Sequence, residues 1–379
     1  MLNYDLIFKN NNVNNLRKYK YDQKKRAFVK KYENITLTSK HIFEIVIFLN
    51  NISLQYKNNN VPILIELEHV IFYDKLAYVV FECIIYYYKL ILGKNIRIVF
   101  NIKHTIWTEG IRYSPLKHCD SMREFDNKFK YEIYRRHYRN LIKYSVYLYE
   151  EDYLSKIVGD IFNYMINNEI PKDIADELSE VLIELIGNGL EHSKTDTLID
   201  IDVTDSLYNK NNDEKDNYYG VNVAIVTVSN ILFFDLLKEK LNNCNMVNYG
   251  KRYSEVIKAF KQHQSYFNNN YNENDFYTIA SFQDSISGNR EKSNEVGGKG
   301  LTKLLKSVEE RAEDHLCYML SGNRILFLRK EFLNSKDNYV GFNLSGDFFN
   351  EPPNEKVFGI CDANISGVLY NLSFAIKKE

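Results

Sequence analysis

The chain has 379 residues, 45% hydrophobic and 14% aromatic, with 49 basic side chains against 50 acidic ones. That is room for two domains with real cores, and the near-zero net charge gives no bulk attraction to nucleic acid or an anionic membrane. No apolar run reaches eighteen residues, the start MLNYDLIFKNNN lacks the basic and apolar regions of a secretory signal, and the five cysteines are far apart with no C-x-x-C pair, so a cytoplasmic protein without a zinc template is expected.

Residues 62–67, PILIEL, read as a strand. A turn at Phe72-Tyr73-Asp74 opens a helix to residue 92, and a second strand covers 96–102. This β-turn-α-β order suits a parallel sheet with a crossover helix. A generic α/β module fits the pattern, which also resembles the core of a STAS domain, whose helix begins after an F-x-D-S type turn. In that family the serine is phosphorylated; Lys75 stands in its place, which implies no phosphoswitch here. Residues 1–120 are assigned to this front domain. Residues 121–168 read as mostly helical, and 121–170 as a helical connector. His137, in YRRHY, lacks the acidic neighbour of a phospho-accepting histidine and reads as an exposed helix residue, against an autophosphorylating histidine kinase.

Residues 174–192, IADELSEVLIELIGNGLEH, carry an apolar stripe of Ile174, Leu178, Val181, Leu182, Leu185, Ile186 and Leu190, the period of a helix with one buried face. Glu184, Asn188 and His192 follow at four-residue steps and share one flank. His192 is read as a helix-end histidine with a structural hydrogen bond. Next come a strand at 197–203, a polar loop, a strand at 220–228 running into Ser229-Asn230-Ile231, and a helix at 232–241. The polar stretch 282–300 then ends in Gly297, Gly298, Lys299 and Gly300, just before the helical period of Leu301, Leu304, Leu305 and Val308. A glycine-rich loop entering a helix offers backbone N–H groups and the positive dipole end, both suited to phosphate. Strands follow at 317–320, 325–328 and 368–376, with Ser321-Gly322-Asn323 as a hairpin turn and 334–355 as an insertion or surface hairpin.

The helix ELIGNGLEHS followed by GGKGLTKLL resembles the N-box and glycine box of the GHKL family of ATP-binding domains. The resemblance implies that the chain is α/β: a GHKL-type α/β sandwich over 171–379, with a mixed sheet and helices on one face, after a smaller STAS-like α/β domain. It implies ATP and Mg²⁺, with Asn188 holding the metal and Glu184 at the position of the water-activating base. Gly297, Gly298, Lys299, Gly300 and Leu301 would close the ATP lid over the phosphates. The family's adenine-reading Asp is missing from its box, and Asn230 is its positional substitute. The final strand resembles the family's G-T-x-F strand, with Val368 where Thr is usual. An ATPase with a regulatory front domain leads; a serine/threonine kinase of the anti-sigma-factor type and a non-hydrolysing, nucleotide-gated interaction module stay open, because ATPase and kinase share these residues. A protein partner is expected through the front domain. Since every nucleotide motif follows Pro171, a fragment from about residue 145 is expected to fold and bind alone.

Overall fold

The computed structural model describes residues 3–11, 18–57, 60–102, 114–116, 121–205, 207–208, 214–215, 217–242, 251–283, 286, 300–312 and 316–378. The front part runs α1 (Asp5–Asn10), β1 (Ala27–Glu33), α2 (Ser39–Gln55), β2 (Ile63–Phe72), α3 (Lys75–Tyr86) and β3 (Ile96–Ile102). β2 lies between β1 and β3 and pairs with both in parallel, α3 being the crossover. Asp74 caps α3, its carboxylate accepting from the Ala77 N–H at 2.8 Å.

The rest of the chain runs α4 (Met122–Lys130), β4 (Tyr131–Tyr134), β5 (His137–Ile142), α5 (Tyr153–Asn167), α6 (Lys172–Ser193), β6 (Thr197–Thr204) and β7 (Tyr218–Val228). It continues with α7 (Asp235–Asn242), α8 (Lys251–His263), α9 (Glu273–Ser281), α10 (Gly300–Arg311), β8 (Tyr318–Phe327) and β9 (Phe358–Lys377). Six of these strands form a sheet in the order β8-β9-β7-β6-β5-β4.

The structure corrects the expected architecture in three ways. The large sheet is antiparallel throughout, not mixed; β4 with β5 and β6 with β7 follow each other closely in the chain, the arrangement that favours antiparallel pairing. The supposed helical connector supplies β4 and β5 to that sheet. Both faces are covered, not one. Side chains alternate across the strands: Ile199, Ile201, Val223 and Ile225 meet α5, α6 and the later helices in one core, while Leu198, Ala224, Val226 and Leu369 meet α1 to α4 in the other. The front helices thus lie between two sheets. A fragment starting near residue 145 lacks β4, β5 and the cover of one whole face, so the expectation that it folds alone is withdrawn.

Charge is buried in this second core. Along neighbouring strands, Arg139 faces Asp200 and His137 faces Asp202, which in turn faces Asn222, itself opposite Ser373. Lys75 reaches down from the first turn of α3 and pairs with Asp200 and Asp202, each at 2.5 Å. Arg139 pairs through Nε with Asp200 at 2.5 Å and through its other arm with Glu82 of α3, and His137 Nε2 lies 3.0 Å from Asp200. Lys75, Glu82, His137, Arg139, Asp200 and Asp202 are all buried. His137 is therefore a buried strand residue, not an exposed helix one. Lys75, where the sequence resemblance led to an expected serine, is an internal clamp between the front part and the large sheet. The Tyr318 hydroxyl of β8 adds a hydrogen bond to Asp74 at 2.7 Å.

Two local readings also change. Ser321-Gly322-Asn323 is not a hairpin turn but an irregularity inside β8, where the register with β9 shifts on either side of Gly322 (φ +65°). Residues 334–355 do contain a small hairpin, Ser335–Lys336 with Tyr339–Val340, yet Tyr339, Phe342 and Phe348 are buried in the main core. Among the described residues no helix is long and apolar enough to cross a membrane.

Candidate functional site

Helix α6 is the platform of the site. Leu178, Val181, Leu182, Leu185, Ile186 and Leu190 are buried as the stripe requires, with Ile174 packed at its margin, and the helix stops at Lys194, left-handed at φ 51°. This fixes the rotation of the polar flank. Glu184, Asn188 and His192 all line one open cleft. Glu184 is exposed at that cleft, while Asn188 and His192 are half-buried.

The remaining walls come from elements far apart in sequence. Thr227, at the end of β7, is followed by an apolar wall of Ile231, Leu232, Phe233 and Leu237. Ile286 and Leu301 close one side, and Val368 and Tyr370 of β9 another. Val368 is the cross-strand partner of Thr227. Burial raises the Tyr370 phenol well above its ordinary value, so it stays protonated. Two glycines shape the floor. Gly367 has φ +113°, and a Cβ there would overlap the Thr227 carbonyl oxygen, so only glycine allows β9 this close to β7. A Cβ on Gly189 would stand 2.7 Å from Thr227 Oγ1 and 3.0 Å from Thr197 Oγ1. Glycine therefore lets α6 close onto those two hydroxyls, which are hydrogen-bonded to each other at 2.9 Å.

The structure brings Glu184, Asn188, His192, Leu301 and Val368 together. Gly300 is the first residue of α10, directly before Leu301. Asn230 is not brought in: it is exposed and does not line the cleft, because the chain turns after Ser229 and gives the wall to Ile231 to Phe233 instead. Thr227 is the polar group of this strand end that reaches the cleft. Gly297, Gly298 and Lys299 lie outside the described residues. Sequence reading missed Thr227, Ser281, Ile286 and Tyr370. Thr227 alone carried a signal, since in GVNVAIVTV it is the one polar residue near the end of an apolar strand. It also missed Lys303, one turn into α10, which pairs with Glu180 at 2.6 Å and whose ammonium is held above its ordinary value by that bond, with the Glu184 charge contributing.

Among the described residues no group of three or more His, Cys, Asp or Glu side chains could hold a metal ion. The cleft's polar lining residues are Glu184, Asn188, His192, Ser193, Thr227, Ser281 and Tyr370. The Asn188 carboxamide oxygen among them is a donor of the kind that suits Mg²⁺, which commonly takes one or two protein ligands and fills its shell with phosphate oxygens and water. Comparison with protein-family models, with curated proteins and with solved structures found no match.

Proposed function

We propose that the chain is a Mg²⁺-dependent ATP-binding protein of the GHKL kind, an ATPase with a STAS-like regulatory front part. One observation carries this reading: Glu184 and Asn188, one turn apart on a helix whose other face is buried, open into a cleft that also has an apolar wall from Ile231 to Leu237. The apolar wall from Ile231 to Leu237 receives the base, and the polar flank of α6 with the start of α10 receives the phosphates. Asn188 would hold Mg²⁺, which when bound neutralises triphosphate charge. Glu184 orients a water and takes its proton, a role open to an exposed carboxylate on the flank of the phosphate end. Asn188 fixes the polyphosphate relative to that carboxylate. A protein partner belongs to the front part; α1 to α4 are occupied against the large sheet, which leaves the strand face bearing the exposed Arg97 and Val99.

Replacing Glu184 by Gln keeps the shape and removes the proton acceptor. ATP turnover should fall by about 10²–10⁴-fold while nucleotide affinity holds, read by phosphate release against a binding titration. Equal turnover in both proteins would remove Glu184 from the chemistry. Label transferred from ATP to another protein, without net hydrolysis, would turn the reading to the kinase.

A further inference from the structure

The cleft has a polar floor of unusual chemistry. Thr227 and Thr197 bond to each other at 2.9 Å, and either hydroxyl can be the donor. Of the two, Thr227 lines the cleft, beside the apolar wall that begins at Ile231. The other hydroxyls lining it are Ser193, Ser281 and Tyr370. Among the described lining residues Glu184 is the sole carboxylate, and it stands on the flank of α6. Among the described lining residues, the wall from Thr227 to Leu237 carries no carboxylate.

We propose that this cleft takes purine nucleoside triphosphates without regard to the substituent at C6, accepting GTP as well as ATP, with Thr227 as the residue that reads the base edge. The inference rests on the nucleotide reading of the same cleft. A hydroxyl has one proton and two lone pairs. When Thr227 donates to Thr197, its free lone pair accepts from the amino group of adenine. When Thr197 donates to Thr227, the Thr227 proton is free to bond the O6 of guanine, which is an acceptor where adenine offers a donor. Exchanging the two states needs only rotation of two hydroxyls, with no movement of backbone or of Gly189. A carboxylate, an acceptor alone, would repel O6 and select adenine. Asn230, whose amide offers fixed donor and acceptor atoms, is outside the cleft and imposes no choice.

The test is calorimetric titration of the full chain with MgATP, MgGTP and MgCTP. Dissociation constants for ATP and GTP within about tenfold of each other, with CTP weaker, support the proposal. A preference for ATP of a hundredfold or more overturns it and leaves the nucleotide reading standing; binding of none of the three overturns both. In Thr227→Val, close in shape and without the hydroxyl, ATP and GTP should weaken by the same factor, about tenfold for one hydrogen bond lost. Unchanged affinity for both in that variant, folded as judged by its thermal transition, would mean that Thr227 reads nothing and would also overturn the proposal. The wild-type ratio decides the matter even where the variant does not fold.

Discussion

Asp200→Asn is expected to lower the stability of the whole chain by about 3–5 kcal/mol, the usual consequence of neutralising one member of a buried ionic group. Asp200 faces Lys75, Arg139 and His137 at once, and burial leaves those cations no water to turn to. Urea unfolding followed by circular dichroism reads the loss. A change below about 1 kcal/mol, the range of an exposed pair, would show that the cluster does not clamp the front part to the sheet.

The same cluster sets a pH dependence. Burial alone would raise the Asp200 carboxyl, but Arg139, His137 and Lys75 hold it well below the ordinary carboxylate range. Its contribution is therefore present above about pH 4 and is lost as pH falls through its lower folded value. Burial alone would lower His137, but Asp200 and Glu132 raise it above its ordinary value. That contribution is complete below about pH 6.5 and is lost as pH rises through the folded value. Wild-type stability should accordingly fall as pH rises above about 6.5, and Asp200→Asn should flatten that fall, since Asp200 is the first of the groups that raise the imidazole.

Asn188→Ala is expected to weaken nucleotide binding on the order of a hundredfold, the scale of a hydrogen bond or ligand to a charged group lost without replacement. Stability should not suffer. Asn188 is half-buried on α6, and alanine is the better helix former. Calorimetry and thermal unfolding of the variant separate the two effects. Unchanged affinity would detach the polar flank of α6 from the nucleotide.

What could be read from the sequence was whatever depended on local period. The stripe of α6 follows from spacing alone, as do β7, in GVNVAIVTV, and the parallel pair of β2 and β3 around α3. The polar strand β5 was hidden because His137 and Arg139 look solvated in YRRHYRNL. Arg139's partners Glu82 and Asp200 lie 57 and 61 residues away, and His137 is 63 residues from Asp200, so no local window shows that these charges cancel inside a core. For the same reason Asp200 and Asp202, alternating with Ile199 and Ile201, look like the wet side of a strand until the front helices cover them. Lys75 could be seen to lack a phosphorylatable hydroxyl, but not to be a clamp. At the site, Glu184 and Asn188 were placed by helix geometry, whereas Asn230 was placed by analogy of position. The turn after Ser229 points the wall the other way. Thr227 gains its place only through Gly189 and Gly367, whose lack of side chains allows α6 and β9 to close on it.

The most direct test of the account is a calorimetric titration of the full chain with ATP, once with excess Mg²⁺ and once with EDTA. The account predicts saturable binding at one site per chain with Mg²⁺, and its loss when the metal is removed. Absence of binding with Mg²⁺, or equal binding in EDTA, would contradict it.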